Sequence, residues 1–499
     1  MIQQLPAIII IAPLFAALFV TIAGWINRKA CFPLALLALT ASTASAAALL
    51  IHVVQHNEIL YYFAHWEPPV GISYKIDHLN SLVLVAVTLV ALINLVANRR
   101  TVKKEFPEKA GAYYALYLLF ITGLLGIVAT GDMFNLYVLL EVTALSGYAL
   151  IGLGNERAAL SGLNYLFLGT IGACFYLLGV GYLYLMTGSL NMVDISSILP
   201  AISGSSVVLF AFLFCMVGLF IKMAFFPLHG WLPNAYTYAP SSSISVIAPL
   251  TTKVMVYAMI RIALDVFGPA FTFERLHVSR LIVWLAVVAI VMGSVLALRQ
   301  NRLKRMLTFV IIAEIGYMVG GFWLGNRAGM TGAILHIIND AFMTLCLFLA
   351  AGIFISKLNA DGFENFRGLF RKMPLSMTAF VVGGLSIIGV PPTCGFFSKW
   401  YLIKGAFEAQ RYEFAAALLF SSLVSAILFF RIFEIAYFES EDDAEEASLP
   451  RTFKEKISEA PADMLVSLLA AALLLLVLGF STGRIVTKVI ENAIPALIV

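Results

Sequence analysis

Runs of about twenty apolar residues, separated by short polar segments, recur along the whole chain, and each is long enough to cross a hydrocarbon core of roughly 30 Å. Fourteen such spans can be drawn, near 5–25, 33–54, 79–98, 112–129, 132–153, 160–186, 206–238, 241–266, 278–298, 304–325, 329–357, 374–406, 413–438 and 462–483. The pattern predicts an all-α integral membrane protein, because a helix satisfies its own backbone polar groups inside lipid. The seventh and twelfth spans are too long for one crossing and carry prolines inside, at Pro227 and Pro233 and at Pro391 and Pro392. A proline removes a backbone donor and clashes with the preceding turn, so both helices are expected to break. The freed backbone groups cannot face lipid and must be buried or line a wet cavity.

Composition supports this pattern. Of 499 residues, 61% are hydrophobic and 12% charged, about half the charge of an average soluble domain. No polar segment is long enough for a soluble domain of ordinary size, which leaves no room for a nucleotide- or cofactor-binding module. The run after Met1–Pro6 lacks a basic leader and is full length, so it is read as a retained first span. Five scattered cysteines (Cys31, Cys174, Cys215, Cys346 and Cys394) form no C-x-x-C pair and no metal-ligand spacing. No cofactor, metal or disulfide framework is expected.

The net charge of +4 follows the membrane and does not suggest nucleic acid. With the N-terminus outside, nineteen Lys and Arg fall in inward loops, around Arg28, Arg99–Lys109, Arg157, Arg299–Arg305, Lys357–Lys372 and Arg451–Lys456, against seven outside. This positive-inside bias predicts both termini outside the cytoplasmic membrane. The acidic run Glu439–Glu446 lies in the longest inward loop and is read as a solvated face.

Against this apolar background, Glu141, Lys222, Lys253 and Lys399 lie deep inside four different spans. A charge at mid-bilayer costs several kcal/mol and normally faces a protein interior or wet cavity. Glu141 precedes Lys222 by 81 residues, and Glu314 precedes Lys399 by 85. Spans 4–8 and 9–13 thus read as two five-helix units, each with an acid in its second helix and a lysine in its broken fourth. An odd number of crossings per unit makes them inverted repeats. The expected organisation is residues 1–110 for the first three helices, 111–270 and 271–440 for the two repeats, and 441–499 for a cytoplasmic loop and last helix. Desolvation eases proton loss from a lysine, and a nearby acid opposes it. The four residues can therefore form a proton relay, with Glu314, Asp340, His336 and His229 as possible links. Ser386, Ser398, Thr251 and Thr252 are placed to hold bridging waters. His336 reads almost equally well as a satisfied interior histidine, and Glu314 and Asp340 as static partners of nearby donors. Arg261, Lys404 and Arg431 lie nearer span ends, where snorkelling is the default.

The stretches Gly131-Asp-Met-Phe-Asn-Leu-Tyr-Val-Leu-Leu-Glu141, Lys222-Met-Ala-Phe-Phe-Pro-Leu-His-Gly-Trp-Leu-Pro233, Leu250-Thr-Thr-Lys253 and Gly395-Phe-Phe-Ser-Lys399 resemble the D-type membrane component of Mrp-type multisubunit cation/proton antiporters. That family includes antiporter-like subunits of respiratory complex I and of membrane-bound hydrogenases. The resemblance implies a fourteen-helix subunit with broken seventh and twelfth helices, and key residues matching Glu141, Lys222, Lys253 and Lys399. The lysine at 399 and Asp340 look like the D type. Many relatives carry a lysine a few residues after that aspartate, where this chain has Thr344, and Glu314 is unusual as an acid.

The leading expectation is a proton-translocating subunit of a sodium/proton antiporter, working with other membrane subunits. The second is the same subunit as the pump arm of an NADH:quinone oxidoreductase or hydrogenase, with no redox centre of its own. The third, an inert membrane scaffold, is opposed by four separately placed buried charges, since packing alone favours apolar residues.

Overall fold

The computed structural model describes residues 2–438, 458–496 and 498. The acidic run Glu439–Glu446 and the basic Arg451, Lys454 and Lys456 lie outside the described residues. Thirteen helices among those described are long and apolar enough to cross a membrane. The remaining expected span is the twelfth, which is split into Pro374–Ile388 and Cys394–Glu408, each of 15 residues and too short alone. With it, every one of the expected spans has a helical counterpart.

The sequence pattern did not foretell a small antiparallel hairpin, β1 (Ile59–Tyr62) and β2 (Ser73–Ile76), which joins the second and third spans. It leads into Asp77, whose carboxylate accepts from the backbone N–H groups of Leu79 and Asn80 and so caps helix His78–Ala97. The eighth, tenth and eleventh spans, Ser241–Val266, Leu303–Trp323 and Arg327–Leu358, form the buried centre; the first two are wholly enclosed. The outer spans keep apolar faces outward, as lipid requires.

The two five-helix units share backbone detail. Before the fifth span, Met133 N–H donates to Leu190 O and Met192 N–H to Gly131 O; before the tenth, Leu303 N–H donates to Asp361 O and Phe363 N–H to Asn301 O. Each unit thus clips the start of its second helix to the segment after its third. Those third helices, Glu156–Thr187 and Arg327–Leu358, each have 32 residues.

Both breaks are built alike. In the seventh span, Phe225 N–H bonds Phe220 O and Ala224 N–H bonds Ile221 O; in the twelfth, Val390 N–H bonds Leu385 O and Gly389 N–H bonds Ser386 O. Each is a Schellman ending with a left-handed residue, Ala224 at φ 60° and Gly389 at φ 91°. The carbonyls freed at each break find donors inside the protein: Ile221 O accepts from the Trp231 indole at 3.0 Å, and Ile387 O from Lys399 Nζ at 2.6 Å. The prolines therefore break these helices as expected; the carbonyls named above are satisfied inside the protein, while Pro227, Leu228, Pro391 and Pro392 themselves are exposed.

Close approach at the twelfth-span break depends on glycine. A Cβ on Gly395 would lie 1.9 Å from Ser386 O, and one on Gly479 of the last span 2.1 Å from Pro392 O. Gly395→Ala should therefore lower stability by about 1–3 kcal/mol through overpacking, read as a fall in the detergent-solubilised unfolding temperature. A second prediction concerns Asp77. Burial pushes its carboxyl up, but the charge and hydrogen bond of Arg261 outweigh this, and the net effect holds it below the usual carboxylate range. A depressed folded value contributes stability above the unfolded value of roughly 3.9 and loses it as pH falls through the folded one. Asp77→Asn should thus unfold at lower temperature than the parent chain at neutral pH, and the difference should shrink below pH about 4. A pH-independent difference would contradict this assignment.

Candidate functional site

Glu141 lies mid-way along helix Met133–Gly152 and Lys222 near the end of helix Ser206–Met223, just before the break. Their side chains meet at 3.0 Å, Nζ to Oε1. The lysine is buried, whereas the Glu141 side chain is 25% exposed.

At the centre, Lys253 of the eighth span and Asp340 of the eleventh pair at 2.9 Å, with side-chain exposures of 2% and 0%. The Lys253 ammonium also donates to Ala248 O and to Thr344 Oγ1, both at 3.3 Å, while Thr344 donates to Asp340 Oδ1 at 2.8 Å. Thr344 thus touches both charges of the pair. The residue that departs from the family pattern is part of the network, one helical turn beyond Asp340.

One turn to the other side of Asp340 lies His336, fully buried. Its Nε2 is hydrogen-bonded to Glu314 Oε2, and its Nδ1 to Ser398 Oγ at 2.8 Å. His336, Asp340 and Thr344 recur every four residues, which brings them to neighbouring positions along one helix. The tenth, eleventh and twelfth spans are thereby joined through polar atoms, ending beside Lys399.

Lys399 does not pair directly with Glu314, as the spacing of the two repeats suggested. Its ammonium donates to Ile387 O at 2.6 Å, Ile388 O at 3.4 Å and Ser422 Oγ at 3.1 Å, and lies 5.0 Å from the centre of the Tyr317 ring. Ile387 and Ile388 end the first half of the broken helix, so the ammonium rests on the negative end of a helix dipole. The two lysines also sit on opposite sides of their breaks. Lys222 precedes the left-handed Ala224 by two residues, whereas Lys399 follows Gly389 by ten. Counted from these left-handed residues, Ile387 is the counterpart of Lys222, and the Lys399 ammonium bonds its carbonyl. The charge is near-symmetric in space although its residue is not symmetric in sequence.

Other expected links fall differently. His229 is half-buried in the seventh-span break, stacked on Phe226 at 5.0 Å, and among the described residues has no hydrogen bond to Glu141, Lys222 or Lys253. Ser398 bonds His336, but Ser386 lies against Cys394 Sγ and Gly395 N–H and serves the break. Thr251 and Thr252 are buried without a protein partner for their hydroxyls, as are Thr143, Tyr148 and Tyr236. Buried polar groups of this kind are normally satisfied by water. They occupy the first unit, where no direct bond connects the Glu141–Lys222 pair to the Lys253–Asp340 pair.

Arg261 and Lys304 are corrections to the sequence reading. Arg261 does not snorkel: it is buried and paired with Asp77 at 2.6 Å and with Asp265. Lys304, counted in an inward loop, is buried and donates to Ala239 O at 3.1 Å. Lys404 and Arg431 are exposed, as snorkelling requires.

Glu314, His336 and Asp340 bring three potential metal donors within 4.8 Å of one another. Each is already engaged, by a histidine, by a serine and by the Lys253 ammonium with Thr344. A cation there would have to displace Lys253. The donors are thus committed to hydrogen bonds and ion pairs in which ammonium and carboxylate charges balance.

The family model described as NADH:quinone oxidoreductase/Mrp antiporter, transmembrane, matches residues 130–425, which take in all the site residues above except Asp77 and Arg431. The chain is 41% identical, over 99% of both chains, to the N component of the NADH-quinone oxidoreductase of Desulforudis audaxviator. It is 29% identical, over 81% of both, to the D component of the Na(+)/H(+) antiporter of Bacillus subtilis. A subunit of the archaeal membrane-bound sulfane sulfur reductase superposes with a TM-score of 0.89 at 29% identity, over 98% of this chain and 97% of that one. The chain is a member of the NADH:quinone oxidoreductase/Mrp antiporter transmembrane family, and its buried charges lie within the part that defines it.

Proposed function

We propose that this chain is a proton-translocating subunit of a multisubunit membrane complex, a monovalent cation (sodium)/proton antiporter of the Mrp type. Protons move through a relay of Glu141, Lys222, Lys253, Asp340, His336, Glu314 and Lys399. The observation that carries this is the set of ion pairs and hydrogen bonds that join the fifth span to the seventh, and the eighth and tenth to the eleventh, deep inside the helices, where an inert protein would place apolar residues. Within the relay, Lys222 pairs with Glu141 and Lys253 with Asp340, so adding or removing a proton at one member of a pair alters the charge balance at the other.

Partners are part of this reading. The outward positions on helix Met133–Gly152 include Phe134, Val138 and Leu145, exposed and apolar. Glu141 falls in the same stripe, three residues after Val138 and four before Leu145. A carboxylate in a lipid-facing stripe is costly, so this side of the chain is covered by another membrane subunit that completes the path. We further propose a cytoplasmic-membrane location with both termini outside, on the excess of inward basic residues.

A second reading makes the chain the pump arm of a redox complex of the NADH:quinone oxidoreductase or hydrogenase kind. The full-length similarity to the oxidoreductase component of Desulforudis audaxviator favours it. In that case the complex is an enzyme, and this chain contributes the proton path with no redox centre of its own. Purification of the native complex separates the readings: antiporter subunits alone support the first, and hydrogenase or quinone-oxidoreductase subunits the second.

Two predictions test the relay. Lys222→Ala and Glu141→Ala should each abolish pH-gradient activity in vesicles while the complex still assembles; full activity in either variant would sink the role of that pair. Removing one partner of the central pair, as in Asp340→Asn, should cost about 3–5 kcal/mol, because a buried ammonium is left uncompensated. Replacing both, with Lys253→Met and Asp340→Leu together, should restore most of the stability yet leave transport dead. Recovery of transport in the double variant would make the pair structural.

A further inference from the structure

On the eighth span, Lys253, Tyr257, Arg261 and Asp265 recur every four residues, a ridge that winds from the central ion pair to the end of the helix. Its later steps are in contact. Tyr257 OH donates to Val128 O at 2.8 Å and accepts from Arg261 Nε at 3.0 Å. Arg261 Nη1 donates in turn to Asp77 and Asp265. Tyr257 and Arg261 are 1% and 5% exposed. Beyond them opens a cavity of about 850 Å³, lined by Glu58, Lys75, Asp77, Arg261, Leu264 and Asp265 and by residues 491–496. These loops lie on the side that the basic-residue bias puts outside.

A guanidinium does not give up its proton in a protein, so Arg261 cannot be a step of a relay. It is a fixed positive charge between the cavity and the Lys253–Asp340 pair. A positive group at the neck of a polar passage raises a barrier to cations and protons. Asp77 and Asp265 offset the cost of burying it and hold it across the neck.

We propose that this cavity is an outer vestibule of the relay and that Arg261, clamped between Asp77 and Asp265, is the gate that closes it against Lys253. The assignment rests on Lys253 being a relay residue. It adds a second opening, at the middle of the chain, to the lateral path through Glu141 and Lys399. The plain alternative is a structural staple that only ties the third span to the eighth.

Thiol accessibility in the assembled complex decides between them without depending on transport. In a chain with its native cysteines replaced, Leu264→Cys marks the vestibule and Tyr257→Cys marks the position behind the guanidinium. A membrane-impermeant thiol reagent applied from outside should modify Leu264→Cys quickly and leave Tyr257→Cys shielded. Adding Arg261→Gln should speed modification of Tyr257→Cys by an order of magnitude or more and raise the passive proton leak of proteoliposomes; Arg261→Lys, which keeps the charge, should do so far less. If Arg261→Gln fails to assemble, Asp265→Asn, which frees one side of the clamp, should give a smaller rise of the same sign. Equal modification of Tyr257→Cys with Arg261 in place overturns the gate. So does a lowered unfolding temperature with no change in accessibility or leak, which is the outcome expected of a staple. Leu264→Cys reacting only from the cytoplasmic side overturns the outer vestibule. Loss of transport in Lys253→Ala is read separately, so the relay and the gate can fail independently.

Discussion

The pairing of Lys253 with Asp340, with neither charge exposed, is the constraint on which the centre of this protein depends. Taking two ions out of water costs several kcal/mol each, recovered only if geometry is good and remaining hydrogen-bonding capacity is met. Thr344 and Ala248 supply that capacity from the two helices that carry the ions. The eighth span belongs to one five-helix unit and the eleventh to the other, so the pair also joins the two. It fits the burial of the two helices at the centre, and Thr344 serves the pair as a neutral partner of both charges. A second ammonium beside Lys253 would need its own counter-charge, and Asp340 is already engaged.

Much of the fold could be read in the sequence, because hydropathy and proline act locally. Apolar runs marked every span, and Pro227 and Pro391 marked the breaks. The Glu141–Lys222 contact was also legible, since two charges deep in neighbouring spans of one unit have few other partners. Contacts within the second unit were not. Nothing in the spacing of 85 residues says that His336 and Ser398 intervene between Glu314 and Lys399, or that Lys399 reaches back across its break to Ile387. Arg261 misled for a related reason. Its distance from the span end fits snorkelling, and only folding brings Asp77 to it from a hairpin that hydropathy does not reveal. Thr344 read as a missing lysine because a hydroxyl carries no charge, although the i, i+4, i+8 series with His336 and Asp340 was visible.

The inverted units keep their backbone devices and redistribute their charges. Clips before the second helix, third helices of equal length and Schellman breaks recur in both. These are fixed by the demand that backbone groups inside lipid be satisfied, which is the same for each unit. The charges answer a different demand. In the first unit, Lys222 faces a carboxylate with partial access to the surface. In the second, a histidine separates the acid from the lysine, and Lys399 is held by carbonyls, a hydroxyl and a ring face. A lysine with a carboxylate partner is favoured as ammonium; one held by neutral dipoles is less so. The two units therefore surround their lysines differently, one with a charged partner and the other with neutral dipoles.

One end of the proposed path also reaches the flank of the chain. Glu141 emerges in an apolar stripe, and Lys399 ends on Ser422, a half-buried residue of the thirteenth span. Between them the charged groups are enclosed. A self-contained carrier would bring its ionisable ends to the two aqueous faces, where water stabilises them at no cost. Here Glu141 comes to the side, among outward apolar positions, where only another polar protein surface can match it. The same physics that forces Lys253 to find Asp340 inside the chain therefore forces Glu141 to find its environment in a neighbour.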